Sequence, residues 1–209
     1  MQKIMFNDKY GLTKAVLDGR KTMTRRIIKA PRTMEGKDVY GLYIVKDRTG
    51  DVVEVTAIDE DGATIGNILP KYKVDEVVAV AQAYCETMPY LADSFYKPTG
   101  SFMKEKPGYN NKMFVRADLM PHQIRITNIR VERIQDITEK DCLREGVIRY
   151  TCNLYEFQGV CYSYEGDKNK MGTYKTAREA FASLFDKISG KGTWDKNPWV
   201  FVYKFELVK

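Results

Sequence analysis

Apolar positions along this chain fall mostly into alternating or short continuous runs, the pattern of β-strands, and take helical spacing in only a few places. "KIMF" at 3–6 predicts a short first strand. Behind it Leu12 and Val16 lie one helical turn apart, with Ala15 and Leu17 beside them. Gly19 then stands where a helix C-terminus favours a residue tolerant of positive φ. Between about 39 and 87, "DVYGLYIV", "DVVEVTAI" and "DEVVAVAQAYCET" are rich in β-branched and aromatic residues, and "RTGD" and "EDGA" read as turns. "KMFVRA" at 112–117 predicts a further strand. In "HQIRITNIRVERIQDI", 122–137, Ile124 and Ile126 alternate in one phase and Ile129 and Val131 in the other. A bulge or break near Thr127–Asn128 reconciles the two.

Two later segments predict helices. "TEKDCLREG" has Thr138 and Asp141 at capping-box spacing and Gly146 as a stop. In "TAREAFASLFDKISG", Thr176 and Glu179 form the same box, and Phe181, Leu184, Phe185 and Ile188 make one apolar face, expected to be core. The chain closes with "WVFVYKFELV", whose Phe201, Tyr203, Phe205 and Leu207 share one strand face. Many strands, few short helices and no βαβ rhythm predict an α+β fold with a barrel-like sheet. The whole chain, 1–209, reads as a single domain. Stretches 88–111 and 149–175 read as loop-like insertions dense in Tyr, Phe and Lys. Their aromatics either pack down on the body or, with the lysines, serve base stacking and phosphate contact.

Charge narrows the partner. A net charge of +6 and a pI near 9.0 favour an anion, with nucleic acid or a nucleotide the obvious class. Runs such as "VVAVA" are far shorter than the roughly 20 residues of a membrane span. The first residues lack the long apolar stretch of a secretory signal, so a cytoplasmic protein is expected. Cys85, Cys142, Cys152 and Cys161 form no CxxC pair, and His122 is the only histidine. Reduced thiols and no metal are therefore expected.

The chemistry concentrates in "GRKTMTRR", Gly19 to Arg26. Arg20, Lys21, Arg25 and Arg26 supply charge and forked donors, but a single glycine cannot make a P-loop cradle. A threonine nucleophile needs a base, and Lys21 precedes Thr24 by three residues. A tight turn would put the two on one side, a straight strand would part them. Neighbouring arginines would push the Lys21 ammonium toward neutrality, and a nearby carboxylate would push it back. On spacing alone, a solvated basic turn comes first, an anion site second and a nucleophile with its base third. Trp194 and Trp199, near the last strand, are candidates to stack on a base or to fill the core or its rim.

This segment resembles the signature of ASCH-domain proteins, a branch of the PUA-like β-barrels, with Gly19, Lys21, Thr24 and Arg26 at its positions. The order of elements is similar too, from strand, helix and signature through the β-rich body to "IRITNIRVERIQDI", "TEKDCLREG" and the terminal "NPWVFVYKFELV". The resemblance covers most of the chain outside the two insertions. It implies a small β-barrel flanked by short helices, with a cleft beside the signature, and association with RNA. Compact bacterial members are amidohydrolases that deacetylate N4-acetylcytidine. By that likeness Lys21 is the base, Thr24 the nucleophile and Glu145 the acid/base, and no cofactor is needed. Arg26 organises the cleft or holds an anion, with Arg20, Arg25 and Trp199 on the substrate side. The alternative is a noncatalytic RNA- or nucleotide-binding module in the same basic cleft. The chain is longer than the compact hydrolases, as phage-related members are, and carries Val74-Asp75-Glu76 where relatives often have a Gly-Asp turn.

Overall fold

The computed structural model describes residues 1–50, 52–91, 107–154, 157–167 and 174–208. It is an α+β fold. The first half of the chain holds β1 (Lys3–Ile4), α1 (Leu12–Leu17), β2 (Met23–Ile27), β3 (Thr33–Met34), β4 (Lys37–Asp38), β5 (Gly41–Lys46), β6 (Val52–Ile58), β7 (Thr64–Asn67), β8 (Val77–Val80) and α2 (Tyr84–Leu91). The second half holds β9 (Gln123–Arg133), α3 (Glu139–Arg144), β10 (Ile148–Leu154), β11 (Phe157–Ser163), α4 (Ala177–Ser189) and β12 (Trp199–Leu207).

The principal sheet has the order β1-β8-β9-β12-β2, with β1 parallel to β8 and the other pairs antiparallel. β5, β6 and β7 form a separate three-stranded sheet, and β3–β4 and β10–β11 are hairpins. β12 is central and buried on both faces, which accounts for its nearly continuous apolar run. Phe201, Tyr203 and Phe205 enter one core with Ile4, Phe6, Ile124 and Ile126. Val200 and Val202 enter a second beneath the helices, with Met23, Cys142, Phe181 and Phe185. Leu207, expected on the first face, is exposed at the strand end. The phase change in β9 is a bulge: Asn128 pairs with Lys204 and Ile126 with Phe205, leaving Thr127 between them.

Among the described residues no ladder joins β1 to β2, so hydrogen bonding does not close the sheet into a barrel. The two edges nevertheless approach each other. Arg26 on β2 donates through Nη2 to the Met5 carbonyl just past β1 at 2.6 Å, and the Phe6 ring packs on Phe205 at 5.7 Å. The space between these edges is where the signature faces.

Three expectations change. "KMFVRA" is not a strand but two 3-10 turns, Lys112–Phe114 and Ala117–Leu119, because the Asn111 side chain accepts from the Met113 N–H and curls the backbone. The third β run ends early: Glu86 accepts from the Ala83 N–H, and the chain enters α2. Much of 149–175 is the β10–β11 hairpin rather than a loop, and Tyr162 bridges to Tyr174 beyond it. Of the 88–111 insertion, 92–106 lies outside the described residues, as do 155–156 and 168–173 of the other.

Candidate active site

The site begins at the end of α1. Gly19 follows the helix with φ +71°, and this left-handed residue turns the chain so that the Lys21 N–H bonds the Ala15 carbonyl at 2.8 Å. Lys21 is thereby folded back under its own helix before β2 begins. From the other side, Thr138 caps α3 by accepting from the Asp141 N–H, and Gly146, at φ +106°, ends it. Between these stops Glu145 is turned inward.

Lys21 and Glu145 meet across 124 residues of sequence. Lys21 Nζ donates to Glu145 Oε2 at 2.6 Å and to the Glu145 carbonyl at 2.8 Å, with only 2% and 4% of the two residues exposed. The same ammonium thus neutralises the carboxylate and caps the C-terminus of α3. The other carboxylate oxygen, Oε1, accepts from Arg25 Nη1 at 3.0 Å. Arg25 also reaches Glu132 at 2.6 Å and Asp141 at 3.4 Å, and Arg130 joins those two carboxylates from β9 at 2.8 and 2.7 Å. Burial lowers the Lys21 pKa from the ordinary 10.5. Glu145 opposes this through its charge and hydrogen bond, and Arg26 and Arg25 add to the lowering.

Thr24 lies on β2 opposite Tyr203 and lines the same cleft as Lys21 and Glu145. It is 5% exposed. No hydrogen bond joins it to Lys21. The odd positions of β2 offer another resource. Thr22 accepts from the Phe205 N–H and Ile28 donates to the Trp199 carbonyl, so even residues use β12. Antiparallel alternation then aims the N–H groups of Met23, Arg25 and Ile27 at the open edge.

The cleft has a volume of about 550 Å³. Its walls come from Met5 and Phe6 past β1, the β2 edge, and Phe181, Leu184, Phe185 and Ile188 of α4. The α4 stripe is core, as its spacing predicts, yet it also supplies the apolar wall opposite the charges. Phe6 lies between two cations, its ring centroid 5.8 Å from Lys21 Nζ and 5.9 Å from Arg26 Cζ. Lys112 holds Phe6 in place through its carbonyl.

The structure thus brings Lys21, Thr24, Arg25, Arg26 and Glu145 to one cleft. Arg20 is elsewhere, exposed and paired with Asp18 at 3.1 Å. Trp199 does not line the cleft. Arg133 stacks on its ring at 4.3 Å, and Trp194 packs against Phe181. His122 is half-buried at the start of β9 and also stands apart from it. Cys142 is buried, and burial pushes its thiol up to about 12, which keeps it protonated and a poor nucleophile. Phe6, Lys29, Asp141 and the β9 pair Arg130 and Glu132 also belong to this region, and no sequence signal assigned them to it. The tight spacing of "VERIQDITEKD" brought charges near one another, but only pairing of β9 with β12 and β12 with β2 sets them beside Arg25.

Among the described residues no group of His, Cys, Asp and Glu could hold a metal ion, and no helix is long and apolar enough to cross a membrane. No family model, curated protein or solved structure matches the chain.

Proposed function

We propose that this chain is an ASCH-type, PUA-like amidohydrolase that removes the acyl group from N4-acetylcytidine or a related amide. One observation carries the reading. A buried lysine with a lowered pKa, its ammonium held by Glu145, lines one cleft with a threonine three residues away, and the threonine hydroxyl has no partner of its own among the described residues. Thr24 Oγ attacks the amide carbonyl, and Lys21, as the neutral amine, takes the hydroxyl proton. The tetrahedral intermediate collapses with protonation of the cytosine N4, leaving acyl-Thr24 and the free amine. Water then attacks the ester and releases the carboxylic acid, with the same group acting in reverse. Glu145 orients Lys21 and shares its proton across the 2.6 Å contact. The Arg25 N–H, unused by β12 and next to the nucleophile, is a ready oxyanion donor. Lys21 must turn toward Thr24 in this scheme, and catalytic hydrogen bonds commonly tighten only when substrate is bound.

The missing Lys21–Thr24 hydrogen bond favours the second reading, a noncatalytic nucleotide- or RNA-binding cleft in which the Lys21–Glu145 pair is structural. The two part on one assay, release of cytidine from N4-acetylcytidine. Wild-type turnover that falls at least ~10³-fold in Thr24→Ala, with an unchanged melting temperature, is expected of the hydrolase. Equal rates in the two proteins would sink it.

A further inference from the structure

A second basin opens on the far side of Arg26. It has a volume of about 350 Å³ and shares Met5, Arg26, Ile27 and Lys29 with the cleft, so the two adjoin. Its floor is aromatic: Tyr72 and Tyr203 meet edge to face at 5.3 Å, with Phe201 beside them. Among the described residues its charged lining is Lys3, Arg26, Lys29 and Lys71, with no carboxylate. That imbalance contrasts with the first cleft, where the Lys21 and Arg25 charges are met by Glu145, Glu132 and Asp141. Glu76, whose charge is felt at Tyr72 and Tyr203, is turned to the Lys73 N–H and stays outside the lining.

The four cations differ in what they can offer. Lys3 spends its ammonium on the Met113 and Val115 carbonyls at 2.6 and 2.8 Å and contributes charge alone. Arg26 uses Nη2 on the Met5 carbonyl, which fixes the guanidinium at the boundary of the two cavities and leaves its remaining donors for another acceptor. Lys29 and Lys71 are exposed and in no ion pair among the described residues, and Lys71 lies 5.3 Å above the Tyr72 ring. Fixed guanidinium, two unpaired lysines and a rigid aromatic floor make a receptor for a compact anion.

We propose that this basin binds a phosphate group of the ligand whose base enters the cleft, so that the physiological substrate is a cytidine nucleotide or an RNA chain rather than a free nucleoside. The inference rests on the nucleoside reading of the cleft. A 5′-phosphate and the backbone of a strand present the same chemistry, and they are separated by the probe.

The test measures binding of cytidine, cytidine 5′-monophosphate and the trinucleotide CpCpC by calorimetry, to wild type and to the double variant Lys29→Gln/Lys71→Gln. At least one phosphorylated probe is expected to bind tenfold or more tightly than cytidine, and the double variant to lose that margin, measured against its own affinity for cytidine. Preference for the monophosphate identifies a nucleotide, and preference for CpCpC alone identifies a strand. Equal affinity for all three probes, no binding of either phosphorylated one, or a margin that survives the double substitution overturns the basin. Hydrolysis of N4-acetylcytidine keeps the two readings apart. Phosphate-dependent binding without deacetylation removes the enzyme and leaves the basin. Deacetylation with no phosphate preference does the reverse.

Discussion

Lys21 and Glu145 are each nearly inaccessible to water, so their pairing bears directly on stability. Removing one member of a buried pair leaves the other charge uncompensated, at a cost of about 3–5 kcal/mol. Lys21→Met retains most of the aliphatic stem and is expected to lose stability in that range by urea unfolding, while Lys21→Met/Glu145→Gln loses distinctly less. A double variant no more stable than the single one would show that the pair is not the source of the loss. Proton linkage gives a second expectation. Burial lowers the Lys21 pKa, so the folded chain releases this proton at a pH where the unfolded chain, at 10.5, still holds it. In that window the unfolded state binds more protons, and the Lys21 contribution to stability therefore rises with pH. If the neutral amine is the base, kcat/KM for N4-acetylcytidine rises across the same window, on a limb that lies below 10.5. A limb that appears only above that value would set Lys21 aside as the base.

Among the elements, two glycine stops aim the site. Both have positive φ, but their surroundings differ. A Cβ on Gly19 would meet nothing within 4 Å, whereas one on Gly146 would come within 3.0 Å of Leu12 Cδ2 and 3.8 Å of Lys21 Cδ. Gly19→Ala is expected to cost about 1–2 kcal/mol from backbone strain alone. Gly146→Ala adds the collision with α1 and shifts Glu145, so it should lose more stability in thermal melts and lower deacetylation beyond what its melting temperature explains. Equal losses for the two variants would count against this account. These stops were readable in the sequence, as were the bulge in β9 and the caps of α3 and α4. In each case a local residue preference and the tertiary requirement agree. Where they conflict, the reading failed: "KMFVRA" has strand composition, but the Asn111 side chain offers the backbone a turn instead.

At the scale of the molecule, the net charge of +6 is unevenly used. Arg125, Arg130 and Arg133 along β9 are engaged by Glu206, by Glu132 and Asp141, and by Trp199 with the Asn197 carbonyl. Around the basin, by contrast, Arg26, Lys29 and Lys71 stand together with no ion pair among the described residues. Binding of CpCpC should accordingly weaken with salt, with a slope of about −0.7 in log–log terms for each phosphate engaged. Deacetylation of uncharged N4-acetylcytidine should barely respond, because the charges that act on it are buried and screened little. Parallel salt dependence of the two would contradict separate roles for basin and cleft.

Local pattern alone determined the α+β class, the ends of α1, α3 and α4, the phase change in β9, the apolar face of β12 that carries Phe201, Tyr203 and Phe205, and the segment in which cations and threonines concentrate. These follow from periodicity and from the φ preferences of single residues, which act over a few positions of chain. Whether "GRKTMTRR" was a wet turn or a built site could not be settled at that range. Arg20 lies ahead of β2 and stays in solvent beside Asp18, while Arg25, on β2, is buried against Glu132 of β9 and Asp141 of α3. Glu145 reaches Lys21 only because β9, β12 and β2 are adjacent and α3 returns across them. The long-range pairing of strands, which carries no local signature, decided which charges are neutralised and which remain open to a ligand.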